Sequence, residues 1–165
     1  MGSIPNMDWY KRFKTKACIL KLKAQTKADA LNEVADQLLS AEFIDPKLAD
    51  PLRAALAARE ELASTGVGMN VAIPHIKLEG LQEAVFSLSV SREGIEWRAV
   101  DGAPVNIIFT VVRPTAPTEH YEPEEHLAMM RWVAKLARDP DFRAFALQSK
   151  TKTALVGLLK ELSVA

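Results

Sequence analysis

The sequence predicts an α/β fold: a single domain with a mixed parallel/antiparallel β-sheet flanked by helices. Three observations carry that prediction. Helix-patterned and strand-patterned segments are interspersed along the chain. Residues 105–112 form a near-continuous apolar run, typical of a strand covered on both faces. The 165 residues suit one domain, long enough to bury roughly two thirds of its unfolded surface without covalent staples.

Residues 1–16 are polar with scattered aromatics (Trp9, Tyr10, Phe13) and read as an N-terminal tail or docking segment. The domain proper is expected over 17–165. Residues 17–23 end in apolar/Lys alternation, which predicts a first strand with one solvated side. Thr26 is an N-cap candidate for a helix running to about Ser40, with Leu31, Val34, Ala35 and Leu38 at helical spacing. Asp50 and Pro51 read as an N-cap and first-turn proline, so the second helix is placed over 51–62. A helix begun at Pro46 would carry Pro51 inside it. Leu52, Ala55 and Leu56 share one face of this helix, with Arg59 in line one turn on.

Residues 64–75, Ser-Thr-Gly-Val-Gly-Met-Asn-Val-Ala-Ile-Pro-His, form a glycine-bearing loop leading into a short β-type run. Pro74 cannot continue a ladder and biases Ile73 away from helix, so His75 is expected at a strand end. Lys77 to Gly80 read as a turn, 84–90 as a strand, Arg92-Glu93-Gly94 as another turn, and Ile95-Glu96-Trp97 as a short extended piece. After the apolar run, residues 113–122 read as a loop. Pro123 suits the first position of a helix reaching Arg138, and Glu124 and Glu125 complement its dipole. Shorter helices are expected over 142–147 and 151–162.

Composition removes several classes of function. The 21 basic and 21 acidic residues cancel, giving no electrostatic case for nucleic acid or an anionic membrane. Cys18, the one cysteine, cannot form an internal disulfide and reads as a small buried apolar residue. No apolar run of about 18 residues predicts membrane insertion, and the start lacks a signal-peptide core, so the expected location is cytoplasmic. Met1-Gly2-Ser3 also reads as a cloning remnant.

The histidines are His75, His120 and His126. Their spacing matches no zinc motif, so no metal site is expected. Ser64 lacks a nucleophile elbow, and Gly66-Val67-Gly68 lacks both the third glycine of a dinucleotide fingerprint and the Lys-Ser/Thr of a P-loop. The remaining chemistry uses histidine itself. Imidazole is about half neutral near pH 6.5 and can attack phosphorus. Phosphoryl transfer then needs positioned partners for the oxygens, which Arg59 and His126 can supply. Taken singly, Arg59 also reads as a solvated charge, His126 as a boundary residue and His75 as a loop histidine.

The string Ala58-Arg59-Glu60, Ser64-Thr65-Gly66-Val67-Gly68, Val71-Ala72-Ile73-Pro74-His75, with Glu125-His126-Leu127 and Leu136-Ala137 later, resembles the enzyme IIA domains of the bacterial sugar phosphotransferase system. The likeness is to the fructose/mannitol type (type 2), closest in layout to the nitrogen-regulatory IIA proteins. It implies that His75 is the phosphorylated nucleophile, that His126 hydrogen-bonds beside it and that Arg59 stabilises the phosphoryl group. Thr65, with Ser64 and Gly66 of the same loop, is expected at the phosphoryl oxygens. The implied donor is an HPr-type phosphocarrier protein. The implied recipient is a IIB domain or, for regulatory members, a target protein bound according to phosphorylation state. No cofactor is implied. Two departures stand out: Ile76 follows the histidine where the family has a small residue, and Gly68-Met69-Asn70 replaces Gly-Asn-Gly. A branched Ile76 is expected to add bulk at the docking face.

Overall fold

A computed structural model describes residues 9–162. Its centre is β5 (Val105–Arg113), buried almost throughout, as the apolar run predicts. β4 (Val85–Ile95) lies antiparallel along one edge of β5. On the other edge β2 (Val71–Ala72) and β3 (His75–Lys77) both run parallel to β5. A short β1 (Gly66–Gly68) pairs antiparallel with β2. The sheet is therefore mixed and the fold α/β.

Two apolar layers follow from the pleat of β5, whose successive side chains point to opposite faces. Ile108 and Val112 face α1 (Lys27–Ser40) and α2 (Ala49–Leu62), packing with Leu31, Val34, Leu38, Leu52 and Leu56. Ile107, Phe109 and Val111 face α3 (Pro123–Arg138), α4 (Pro140–Gln148) and α5 (Lys152–Leu162). Thr26 caps α1 by accepting the Asp29 amide, and Pro123 opens α3, both as expected. Among the described residues no helix is long and apolar enough to cross a membrane.

Three expectations need correction. Residues 17–23 do not form a strand. Thr15–Ala17 is a 3-10 turn, and the following chain makes one parallel bridge, Ile19 to Ser89, at the edge of β4. The second helix starts at Ala49, after a 3-10 turn at Pro46–Leu48 whose first amide, that of Lys47, is capped by Asp45. Pro51 is then its third residue, where the missing N–H has no intrahelical acceptor to lose. Arg92-Glu93-Gly94 is no chain reversal. It is a bulge within β4, where residues 91–94 face Asn106 alone. Gly94 takes φ +86° there, and the Asn106 side chain donates from Nδ2 to Ser91 O at 2.9 Å.

Residues 1–8 and 163–165 lie outside the described residues. Within the rest of the segment read as a tail or docking element, Trp9 and Phe13 are buried against Trp132, Phe86 and Phe109. Cys18 is fully buried, which pushes its thiol up to about 11 and fits the reading of an unreactive core residue.

Candidate functional site

β2 and β3 are two parts of one extended path. Val71 and Ala72 pair with Ile107 and Ile108, and His75 and Ile76 pair with Val111 and Val112 in unchanged register. The gap falls at Ile73-Pro74. The Ile73 amide turns away to Thr65 O at 3.0 Å, and Pro74 has no N–H, although its carbonyl still accepts the Val111 amide at 2.8 Å. His75 thus opens β3 rather than closing a strand. Strand alternation sends Ile76 into the α1/α2 layer and His75 to the opposite face, toward α3.

His126 sits in the first turn of α3 and comes to that same face. The two Nε2 atoms lie 3.1 Å apart. Phe86 stacks on His126 at 6.3 Å, and the Tyr121 ring meets its edge at 5.5 Å. Burial pushes both imidazoles down to about 4. Arg113, Arg59 and Lys77 add to the effect at His75; His75, Arg113 and Arg12 add to it at His126. Both rings are therefore neutral near pH 7. A contact between two neutral ring nitrogens holds one proton, so one Nε2 donates and the other presents a lone pair.

Arg59 lies near enough to depress the His75 pKa, and its Nη1 donates to Ala63 O at 2.6 Å at the end of α2. The hydrogen-bonding groups of Ser64, Thr65 and Gly66 are committed within the loop. Ser64 Oγ donates to Trp97 O at 3.0 Å and accepts the Gly66 amide. The Thr65 amide and hydroxyl both donate to the Glu60 carboxylate, and the hydroxyl accepts from Trp97 Nε1 at 3.1 Å. Gly66 packs so closely on Ala99 that a Cβ there would lie 2.7 Å from the Ala99 Cβ. The loop residues are thus tied into a network that joins the segment carrying His75 through Thr65 O and the Ile73 amide. His120 is exposed in the loop before α3.

Sequence reasoning missed three residues. Arg113 ends β5 on the His75 face and influences both histidines. Tyr121 accepts a hydrogen bond from Arg113 Nη1 at 2.9 Å. Glu60 joins Thr65 to Lys27, whose Nζ lies 3.1 Å away. The available signals were a lone cation closing an apolar run and the glutamate adjoining Arg59.

The two departures also resolve. Ile76 is 6% exposed and belongs to the core, so it adds no bulk on the histidine side. Met69 and Asn70 form the tight turn between β1 and β2, at φ +57° and +66°. Asn tolerates that region, and Met69 is held there by its amide donating to Asp101 Oδ2 at 3.0 Å.

Residues 12–162 match the family described as phosphoenolpyruvate-dependent sugar phosphotransferase system, EIIA 2. The chain is 37% identical over 100 residues to a nitrogen regulatory protein of Pseudomonas aeruginosa. That match takes in 61% of this chain and 62% of the relative, so the chain spans under two thirds of that relative's length. It is 29% identical over 136 residues to a PTS system fructose-specific EIIA component of Haloferax volcanii, covering 82% and 84% of the two chains. The crystal structure of nitrogen regulatory protein IIA-Ntr from Neisseria meningitidis superposes with a TM-score of 0.76 at 25% identity, covering 91% of this chain and 97% of that one. Likeness of fold alone extends to the complex of enzyme IIAMTL and phosphorylated enzyme IIBMTL from Escherichia coli, at TM-score 0.68 and 16% identity, covering 90% and 97%.

Proposed function

The chain belongs to the phosphoenolpyruvate-dependent sugar phosphotransferase system EIIA 2 family, and from that premise we propose that it accepts a phosphoryl group on His75 Nε2 from an HPr-type phosphohistidine carrier. The observation that carries this reading is the 3.1 Å contact between the Nε2 atoms of two neutral imidazoles. His126 holds the shared proton and donates it, which leaves the Nε2 lone pair of His75 as the nucleophile. That lone pair attacks phosphorus, the N–P bond to the carrier breaks, and its electron pair leaves with the carrier's imidazole. The His126 N–H moves from that lone pair to a phosphoryl oxygen as the group arrives, which frees the pair for the attack, and Arg59 adds positive charge nearby. Because His75 is neutral well below pH 7, no proton has to leave it before attack.

The proposed role is regulatory. The phosphorylation state of His75 sets binding to a target protein, a reading supported by the nitrogen regulatory relatives. The fructose-specific relative supports the second reading, in which phosphate passes on to a separate IIB subunit. Incubation with phosphoenolpyruvate, enzyme I and a cognate carrier is expected to add one acid-labile phosphate, lost in His75→Ala. No gain with any cognate carrier pair, or an undiminished gain in His75→Ala, defeats the proposal. Transfer onward to a IIB cysteine would favour uptake over regulation.

A further inference from the structure

We infer that Arg113 is a phosphoryl-holding residue at the histidine pair and that Tyr121 positions it. The inference rests on His75 being the phosphoryl acceptor. It starts from the register. Arg113 pairs with Lys77 as Val111 pairs with His75, so the pleat puts Arg113 and His75 on one face of the sheet, a single side-chain step apart. That face is closed by α3 and by Tyr121, which is 6% exposed and packs its ring against the His126 edge.

The guanidinium is fixed on one side only. Nη1 donates to the Tyr121 hydroxyl at 2.9 Å. Nε is buried and has no hydrogen-bond partner among the described residues. Among the described residues no carboxylate lies within ion-pair distance of Arg113. A partly buried arginine normally has a carboxylate or carbonyls for its remaining donors, because a desolvated unpaired N–H is costly. Here the unfilled edge is Nε–H with Nη2–H, the pair of parallel donors that fits two oxygens of a phosphoryl group. The absence of a carboxylate suits the same purpose, since a fixed anion there would repel an incoming dianion. Both histidines feel the Arg113 charge. The incoming group would therefore find His75 Nε2 as nucleophile, His126 Nε2–H on one oxygen and the Arg113 fork on the others.

Two measurements test this on the full chain. The first is the single-turnover rate of phosphoryl transfer from phosphorylated carrier, for wild type, Arg113→Gln, Arg113→Lys and Tyr121→Phe. Arg113→Gln is expected to slow transfer about 100–1,000-fold, as for loss of one donor to the charge of a transferring group. Arg113→Lys keeps the charge but loses the fork and is expected to recover only part of the rate. Tyr121→Phe removes one hydroxyl and is expected to slow transfer by less than Arg113→Gln while leaving carrier affinity unchanged. The second measurement is titration with inorganic phosphate, followed by the histidine ring 15N resonances. Phosphate-dependent shifts at His75 and His126 are expected in wild type and lost in Arg113→Gln. Wild-type behaviour of a folded Arg113→Gln in both measurements, or of Arg113→Lys should the first variant not fold, overturns the Arg113 inference and leaves the acceptor reading intact. Phosphate binding through Arg113 without transfer from any carrier defeats the acceptor reading and keeps the anion site. A wild type that neither binds nor accepts phosphate overturns both.

Discussion

Glu60→Gln is expected to cost about 3 kcal/mol of stability, through loss of charge-assisted hydrogen bonds at a buried carboxylate. The Glu60 side chain is 6% exposed. One of its oxygens accepts the Thr65 amide at 3.1 Å and the Lys27 ammonium at 3.1 Å, and the other accepts the Thr65 hydroxyl. An amide can keep its oxygen on the first two donors, but its NH2 then faces the Thr65 hydroxyl. That hydroxyl already accepts from Trp97 Nε1, so its own proton loses its acceptor. The remaining two bonds lose their anionic partner, and Lys27, 22% exposed, loses its counter-charge. One orphaned donor and two weakened bonds give the total, tempered by the partial hydration of Lys27. At 2–4 °C per kcal/mol for a chain of this size, the thermal midpoint should fall by about 6–12 °C. Urea unfolding followed by tryptophan fluorescence gives the free energy, and an unchanged m-value certifies that the denatured state is the same. A loss under about 0.5 kcal/mol would refute the view that Glu60 anchors the approach to His75, because a partner that important cannot be neutralised at so small a cost.

Three further expectations follow from the same structure. Gly66→Ala would drive a Cβ to 2.7 Å from the Ala99 Cβ and 2.8 Å from its Cα. Backbone cannot yield cheaply, so unfolding experiments should show a loss of about 2–3 kcal/mol, and a loss below about 1 would mean that β1 can shift freely. The buried Thr110 hydroxyl has no partner among the described residues, and Thr110→Val should raise stability by about 1 kcal/mol in the same assay; a decrease would reveal a hydrogen bond or water at that oxygen. His75 and His126 have folded pKa values of about 4 against 6.5 when unfolded, so the unfolded chain binds more protons between those values. Their contribution is complete above pH 6.5 and is lost as pH falls toward 4, at up to about 1.4 kcal/mol per pH unit per histidine. Stability curves measured against pH should flatten over that window in His126→Gln, and parallel curves would contradict neutral rings in the fold.

The fold was legible where one local rule sufficed. Thr26 and Pro123 mark helix starts by their own chemistry, and the apolar length of residues 105–112 announces a doubly covered strand. It was less legible where the same pattern has two outcomes. Apolar/Lys alternation at 17–23 reports only that one side is buried. That demand is met here by edge packing with one bridge, without a ladder. Gly94 does take the left-handed conformation that a turn requires, yet a bulge requires it too. Only the pairing of Ile95 with Val105 separates the two, and that pairing is a long-range fact.

The site divides along the same line. In the candidate site His75, His126 and Arg59 were readable from the motif, but Arg113 and Tyr121 were not, because no local rule relates the end of β5 to a histidine on a different strand earlier in the chain. Their meeting depends on a register that survives the break at Pro74. Were the strand to slip by one residue across Ile73-Pro74, Ile76 would take the α3 face and His75 would enter the α1/α2 core. Proline removes a donor at the gap, while its carbonyl keeps hold of Val111, so the register continues although the ladder does not. The break thus frees the Ile73 amide for Thr65 and ties the glycine loop to the strand that carries the histidine. Motif and register are therefore coupled: Ile-Pro-His presents the imidazole only because Val111 holds the proline in line, and the same alignment sets Arg113 beside it.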